Sequence, residues 1–160
     1  MITYRKAFSV DAQALLQTRR DAVLCRPTEK YSRTILEAWA PVIDQATICL
    51  ETEKLADPDR ITIVAEDQGK VVGLCTLGVS EGLLKQCYVL PEYGGMGIAR
   101  ELVKQIEIIA KELGLKSLTL SSSLLAFDFY KKQGYVELNH YHYELNNGLQ
   151  MPCVMMEKNL

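Results

Sequence analysis

The stretch Pro91–Val103, PEYGGMGIARELV, places three glycines directly before an apolar-periodic run that is typical of a helix. The first four N–H groups of a helix have no partner within it, and the aligned peptide dipoles leave partial positive charge at that end. Glycine has no Cβ, so the backbone at Gly94, Gly95 and Gly97 can approach a ligand closely. These features predict an anion site, most naturally for phosphate. A tight strand-to-helix turn without a ligand is the alternative, and the turn by itself leaves both interpretations open.

The residues on either side of this turn have clear periodicity. Residues 82–90, GLLKQCYVL, are typical of a strand, and the helix that follows the turn is predicted to end at Gly114. The apolar side chains of this helix recur every three or four residues, so they predict one buried face: Ile98, Leu102, Val103, Ile106, Ile109, Ala110 and Leu113.

The rest of the chain alternates between strand and helix patterns. Strands are predicted at 2–8, 60–67, 70–79, 117–123, 135–145 and 151–159, with a hairpin turn signal at Gln68-Gly69. Helices are predicted from Ser9 or Asp11 to about Cys25, between Tyr31 and Pro41, and at 124–134. Residues 43–60 are ambiguous, and a helical stretch followed by a loop is our interpretation. The order of elements predicts one domain, residues 1–160, in which helices pack on a mixed sheet.

Composition excludes several classes of protein. The chain has 160 residues, of which 48% are hydrophobic and 24% charged, and its net charge is -2, so we expect neither nucleic acid nor membrane partners. The five cysteines are widely spread without a Cys-x-x-Cys motif, and there are two histidines, so no metal site is expected. Without an apolar leader, the sequence predicts a cytoplasmic protein.

The glycine turn does not match the common nucleotide motifs. A P-loop requires Lys and Ser or Thr after its last glycine, but Ile98 and Ala99 follow Gly97. A dinucleotide-binding turn counted from Gly95 requires glycine where Arg100 stands. Both motifs are therefore excluded.

Two segments together resemble the signatures of the GNAT superfamily of N-acetyltransferases. GGMGIA at 94–99 resembles the acetyl-CoA pyrophosphate loop Q/R-x-x-G-x-G/A, with Gly94 in the place of the usual Gln or Arg. SLLAFDFYKKQGY at 123–135 resembles the second signature, N/S-x-x-A-x-x-F-Y-x-x-x-G-F. Tyr31-Ser32 followed by AWAP at 38–41 is similar to a branch of small bacterial acetyltransferases. The resemblance implies a single-domain α+β fold, with a mostly antiparallel sheet of about seven strands, a splay in that sheet, and helices on both faces.

The resemblance also implies roles for individual residues in transfer of an acetyl group from acetyl-CoA to an amine. The Val89 N–H would stabilise the oxyanion, and Tyr130 would protonate the departing thiolate, although by spacing alone Tyr130 is a core aromatic. Tyr31 and Trp39 would line the acceptor pocket or belong to the core. The residues expected to bind acetyl-CoA are Cys87, Tyr88, Val89, Gly94, Gly95, Met96, Gly97, Ile98, Ala99, Arg100, Ser123, Ala126, Phe129 and Tyr130.

The general base stays open. Family members with a carboxylate base carry it at the position of Leu83, and Glu81, an ordered water or Tyr88 are the alternatives. The acceptor is expected to be a small-molecule or peptide amine, and a homodimer is compatible with this architecture. His140 and His142 read as ordinary strand residues.

Two other functions are consistent with parts of the sequence. GVSEG at 78–82 matches the G-x-S-x-G nucleophile elbow of hydrolases, but this elbow requires a helix after Ser80, where a strand is predicted. A non-catalytic sensor of acyl-CoA is the other alternative, and it is favoured by the missing carboxylate.

Overall fold

A computed structural model describes every residue from Met1 to Leu160. Its strands are β1 (Ile2–Lys6), β2 (Arg60–Asp67), β3 (Lys70–Gly78), β4 (Leu83–Val89), β5 (Ser117–Ser123), β6 (Val136–Glu144) and β7 (Gln150–Asn159). Its α-helices are α1 (Ala12–Leu24), α2 (Arg33–Trp39), α3 (Gln45–Ala56), α4 (Ile98–Glu112) and α5 (Phe127–Lys132). Short 3-10 turns lie at Ser9–Asp11 and Pro91–Tyr93.

The seven strands form one sheet in the order β1-β2-β3-β4-β5-β7-β6. Every neighbouring pair is antiparallel except β4 and β5. The expected mixed, mostly antiparallel sheet of seven strands is therefore confirmed. The hairpin between β2 and β3 turns at Gln68 and Gly69, whose φ angles of 51° and 82° are typical of the turn that matches strand twist.

Helices cover both faces of the sheet, as expected. On one face α4 buries Leu102, Val103, Ile106 and Ala110 against β2, β3 and β4, and each fully buried Leu or Ile contributes about 1.5–3 kcal/mol. Leu113, which we predicted in this stripe, is 51% exposed because the helix ends one residue earlier. On the other face α1 packs on β3 and β4, and α3 packs on α1 and β2.

The segment that was ambiguous in the sequence is largely helical. Helix α3 begins after Asp44, whose carboxylate accepts a hydrogen bond from the Thr47 N–H at 2.8 Å, and the Thr47 hydroxyl in turn accepts from the Asp44 N–H at 3.0 Å. These reciprocal bonds satisfy N–H groups that the first turn of a helix leaves free. Glu51 on the same helix is buried, 3.9 Å from both Lys54 and Arg60.

The sheet is splayed between β4 and β5. The two strands pair only at their beginnings, where Leu83 faces Thr119 and Leu84 faces Leu120. Beyond this point β4 continues to Val89 and β5 continues to Ser123, and the two strands have no further register partners. This divergence, which was expected, leaves a gap in the middle of the sheet.

Candidate active site

The glycine turn lies directly at the start of α4, beside the gap. Gly95 and Gly97 have φ angles of 77° and 79°, in the left-handed region that glycine adopts without strain, and Gly97 is the N-cap of α4. The N–H groups of Gly95, Met96 and Gly97 donate to no backbone carbonyl. A Cβ added at Gly95 or Gly97 would meet no atom within 4 Å. The turn thus presents free backbone donors to open space.

An elongated groove of about 370 Å³ runs from this turn to the gap. It is lined by most of the residues expected at a cofactor site: Cys87, Val89, Gly94, Gly95, Gly97, Ile98, Ala99, Arg100, Ala126, Phe129 and Tyr130. Tyr93, Arg26, Leu125 and Gln133, which the sequence did not single out, complete it. Met96, 61% exposed, does not line the groove, and neither do Tyr88 and Ser123.

The hydrogen-bonding pattern of β4 leaves backbone groups facing the gap. The Leu90 N–H donates to the Val72 carbonyl at 2.9 Å, and Gly73 faces Val89 in the antiparallel register with β3. Antiparallel neighbours alternate between bonded and non-bonded pairs, so the peptide groups of Val89 and Cys87 point away from β3. On that side β5 has already diverged. The N–H groups of Cys87 and Val89 are therefore available to a bound molecule.

A smaller cavity of about 100 Å³, here called the passage, lies at the gap and is lined by residues from both faces of the sheet. It shares Cys87, Val89 and Tyr130 with the groove. On the other face it shares Trp39, Tyr88 and four polar residues with a second cavity of about 300 Å³. A thioester held on one face of the sheet would therefore be accessible to a second molecule from the other face.

Tyr130 lies where the groove and the passage meet. It is on α5 and only 6% exposed, and its ring lies 5.1 Å from that of Phe129 and 5.6 Å from that of Tyr135. Burial raises the pKa of Tyr130 well above its usual value of 10, because a phenolate would lose its hydration there. The phenol is therefore protonated at neutral pH.

Tyr88 lies on the opposite face of β4 from Cys87 and Val89, because successive side chains of a strand point to opposite faces. Its ring lies 6.1 Å from that of Trp39, and the Arg19 guanidinium is 5.6 Å from its centroid. Burial raises the pKa of Tyr88, and the positive charge of Arg19 opposes this shift. Tyr88 and Trp39 both line the second cavity, so the structure separates Tyr88 from the groove with which the sequence grouped it.

Tyr31 belongs to the core, which was one of its two expected roles. Its hydroxyl donates to the Pro152 carbonyl at 2.6 Å and accepts from the Leu124 N–H at 2.7 Å, and the side chain is only 5% exposed. Burial raises the pKa of Tyr31 to about 12. It lines neither the passage nor the second cavity, so a role for Tyr31 in the acceptor pocket stays a prediction. The hydroxyl instead connects β7 to the loop that precedes α5.

No carboxylate or histidine lines the groove, the passage or the second cavity. Glu81, one candidate for the general base, lines none of these cavities and forms an ion pair with Lys85. His140 and His142 are exposed on β6, and His140 lies 2.8 Å from Glu137. Ser123 accepts a hydrogen bond from the Ala126 N–H at 3.3 Å, so it shapes the turn into α5 while it lines the passage.

Arg19 was missed by the sequence reasoning. It lines the second cavity from α1, and Ala22, three residues further along the same side of this helix, lines the passage together with Arg26, which follows the end of the helix. The three-residue spacing of Arg19 and Ala22 is present in the sequence. Ala22 also belongs to the apolar face of α1, however, so the pattern predicted only a buried face and no cavity. Ser121, at the polar end of β5, lines the passage as well.

The hydrolase motif is built differently from a nucleophile elbow. Ser80 lies in the turn between β3 and β4, and a strand follows it instead of a helix. Its hydroxyl donates to Asp59 at 2.7 Å, and its N–H donates to the same carboxylate at 2.9 Å. Ser80 therefore stabilises a turn. No group of three or more His, Cys, Asp or Glu side chains is arranged to hold a metal ion, and no helix has the length and apolarity needed to cross a membrane.

Comparison with known proteins identifies the family. A family model described as the acetyltransferase (GNAT) family matches residues 21–135, which include β4, the glycine turn and α5. The chain belongs to the GNAT family of acetyltransferases. This confirms the resemblance on which the glycine turn and the second signature were interpreted.

Individual GNAT relatives support the assignment of the fold. A GCN5-related N-acetyltransferase structure from Rhodopseudomonas palustris superposes with a TM-score of 0.87 at 26% identity, over 99% of this chain and 95% of that chain. The PaiA N-acetyltransferase of Thermoplasma acidophilum, in complex with coenzyme A, superposes with a TM-score of 0.75 at 20% identity, over 100% and 99% of the two chains. An IAA acetyltransferase of Azospirillum brasilense is 32% identical over 95 residues, which are 55% of this chain and 62% of that relative's length.

Proposed function

We propose that this GNAT protein transfers the acetyl group of acetyl-CoA to an amine by direct attack in a ternary complex. One observation carries the proposal: the passage at the β4–β5 gap shares lining residues both with the groove at the glycine turn and with the separate cavity on the other face of the sheet. Two substrates that enter from opposite faces can then meet without a covalent enzyme intermediate. We infer that this reaction takes place in the cytoplasm.

The cofactor would lie in the groove. Its pyrophosphate would accept hydrogen bonds from the N–H groups of Gly95, Gly97, Ile98 and Ala99, where the dipole of α4 adds favourable charge. The pantetheine arm would extend along β4 and pair with the backbone groups of Cys87 and Val89, in the place that a neighbouring strand would take. The complex of the Thermoplasma relative with coenzyme A is consistent with this proposal for the fold.

The thioester carbonyl would lie at the gap, with its oxygen toward the Val89 N–H. Attack by the amine nitrogen forms a bond to the carbonyl carbon and moves negative charge onto that oxygen. A backbone N–H already aimed at the oxygen stabilises this charge without reorganisation, and loss of one such donor costs about 2.7–4 kcal/mol in other enzymes. No side chain is needed for this step.

Tyr130 would supply the proton for the departing thiolate. When the tetrahedral intermediate collapses, the carbon–sulfur bond breaks, and the sulfur takes the phenolic proton as coenzyme A leaves. The raised pKa of Tyr130 keeps the phenol protonated at neutral pH, so the proton is present when the carbon–sulfur bond breaks. The phenolate formed is then reprotonated by the proton that the amine releases, directly or through water.

The acceptor amine would have to lose its proton without a carboxylate or histidine beside it. An alkyl ammonium with a pKa of about 10.4 is almost entirely protonated at neutral pH, whereas an α-amino group has a pKa of about 7.7–8.0. Arg19 and Arg26, which form no salt bridge, line the second cavity and the passage, and nearby positive charge lowers the pKa of an ammonium further. We infer that water carries the proton away.

The test is release of coenzyme A thiol from acetyl-CoA in the presence of a panel of amines and peptide N-termini. The wild-type protein should release thiol only when a suitable amine is present. Tyr130→Phe preserves the ring and deletes the hydroxyl, so kcat should fall about 10²–10⁴-fold while acetyl-CoA affinity stays nearly the same. Ser80→Ala is the matched control, and it should turn over like wild type.

Other outcomes of this experiment distinguish the alternatives. Acetyl-CoA binding without thiol release for any amine would favour a sensor of acyl-CoA, an interpretation that the absence of a carboxylate base supports. Ester cleavage that disappears in Ser80→Ala would favour a hydrolase. If Tyr130→Phe keeps a kcat near that of wild type while the chemical step is rate-limiting, the hydroxyl is not the acid and Tyr130 only packs in the core.

A further inference from the structure

Arg19 is a positive charge without a partner in the wall of the second cavity. The side chain lines this cavity of about 300 Å³, and it takes part in no salt bridge. Its Nε is buried and has no hydrogen-bond partner within the protein. Buried polar groups are normally paired, so a guanidinium that lines a cavity without an anionic partner requires an explanation.

The other charged side chain of this cavity is already neutralised. Lys85 forms an ion pair with Glu81, and no carboxylate lines the cavity or the passage. By contrast, Arg20, the next residue of α1, donates to the Pro41 carbonyl at 2.9 Å and lines neither. The uncompensated charge of the second cavity therefore belongs to Arg19.

The surroundings hold this guanidinium in a defined position. Its carbon lies 5.6 Å from the centroid of the Tyr88 ring, an arrangement in which the ring face attracts the cation. Tyr88 in turn contacts Trp39, and both aromatic side chains line the passage as well as the cavity. A molecule bound to Arg19 thus reaches the passage along an aromatic wall.

We propose that the second cavity binds an acceptor amine that also carries a carboxylate, and that Arg19 binds this carboxylate. A guanidinium is the donor that matches a carboxylate best, since its planar N–H groups can pair with both oxygens. One unpaired arginine balances one negative charge. This inference rests on the proposed function and adds the class of acceptor to it.

The remaining walls suit the rest of such a molecule. Trp39, Leu145 and Met151 provide apolar surface, and Ser121, Gln86 and Asn146 provide hydrogen-bonding groups. An amino acid with an apolar side chain fits this combination. A polyamine does not, because its ammonium groups would be repelled by Arg19 and would find no carboxylate in the walls.

The test compares each amino acid with its own carboxamide, for example L-leucine with L-leucinamide and L-phenylalanine with L-phenylalaninamide. Binding is measured by calorimetry with coenzyme A present, in wild type, Arg19→Gln, Arg19→Lys and the control Arg20→Gln. Replacing the carboxylate by a carboxamide also lowers the pKa of the amine. This effect is the same in every variant, so it cancels when the ratio of acid affinity to amide affinity in one protein is divided by the same ratio in another.

We expect wild type to prefer at least one acid over its amide by tenfold or more. The preference should fall at least tenfold in Arg19→Gln, persist in part in Arg19→Lys, and stay unchanged in Arg20→Gln. An equal preference in wild type and Arg19→Gln, or no binding of any acid, would overturn the carboxylate site.

Turnover separates this inference from the proposed function. If acids bind in a manner that depends on Arg19 but no thiol is released, acetyl transfer is refuted and the carboxylate site stands. If simple amines are acetylated and Arg19→Gln changes neither binding nor rate for any acid, the carboxylate site is refuted and acetyl transfer stands.

Discussion

The two ends of α4 allow the phosphate-binding role of the glycine turn to be tested with an internal control. Gly97 caps the beginning of this helix with a φ of 79°, and Gly114 follows its end with a φ of 85°. A Cβ at either position would meet no protein atom within 4 Å. Alanine at each position therefore introduces the same backbone strain and no steric clash within the protein.

The expected loss of stability is similar for the two variants. A left-handed conformation costs a residue with a Cβ about 1–2 kcal/mol, and the less flexible unfolded chain offsets about 0.4–1 kcal/mol of this. Gly97→Ala and Gly114→Ala should each lose about 1 kcal/mol, which lowers Tm by about 2–4 °C for a chain of this length. Thermal unfolding of both variants without ligand measures this baseline.

The two variants should differ in their affinity for acetyl-CoA. At Gly97 the added methyl group occupies the space through which phosphate oxygens would approach the N–H groups of the turn, so we expect affinity to fall at least tenfold, or about 1.4 kcal/mol. At Gly114 the methyl group lies at the other end of the helix, and affinity should not change. Calorimetric titration of both folded variants gives the comparison.

One result would refute this reasoning. If Gly97→Ala and Gly114→Ala have the same Tm and both bind acetyl-CoA like wild type, the pyrophosphate is not held by this turn. The glycines would then serve only to turn the chain from β4 into α4.

Two further predictions concern stability. Tyr31→Phe leaves the Leu124 N–H and the Pro152 carbonyl without their buried partner, so the free energy of unfolding measured with urea should fall by about 2–3 kcal/mol. A loss below about 0.5 kcal/mol would mean that water replaces the hydroxyl. Hydrogen bonds from Arg5 hold the pKa of Asp11 below its usual 3.8, so the carboxylate stabilises the fold above about pH 4, and this stability is lost as the pH falls through the lowered pKa. The difference between wild type and Asp11→Asn in urea midpoint should therefore shrink from pH 7 to pH 3, and an equal difference at both pH values would contradict this.

The sequence by itself determined the order of the elements, because the signals for them are local. The stripe of α4 and the Gln68-Gly69 turn depend on residues within a few positions of one another, and both are present in the structure. The helix α3 also had a local signal, since Asp44 and Thr47 are spaced for a capping pair, but the segment is too weakly periodic to be recognised by its apolar residues. The family signatures are local as well, and they were sufficient to predict the fold.

The alternation of side chains along β4 could also have been read from the sequence. A period of two separates Tyr88 from Cys87 and Val89, so grouping all three at one cofactor site ignored a local rule. The same period decides which peptide groups face the gap, since those of Cys87 and Val89 point away from β3 whereas that of Tyr88 points toward it. For the side chain of Tyr88 it decides which cavity the ring lines.

Only the tertiary structure decided which residues meet at the gap. Strand β5 pairs with β4 only at its beginning but pairs with β7 along its whole length, and β7 lies far from both strands in the sequence. The position of Arg19 beside Tyr88 and the bonds of the Tyr31 hydroxyl to Leu124 and Pro152 join segments that are far apart in the chain. Such contacts form only when the whole core has packed, because their geometry depends on every element between them. The residues of the acceptor side were therefore identified only from the tertiary structure, whereas the glycine turn of the cofactor side was predicted from the sequence.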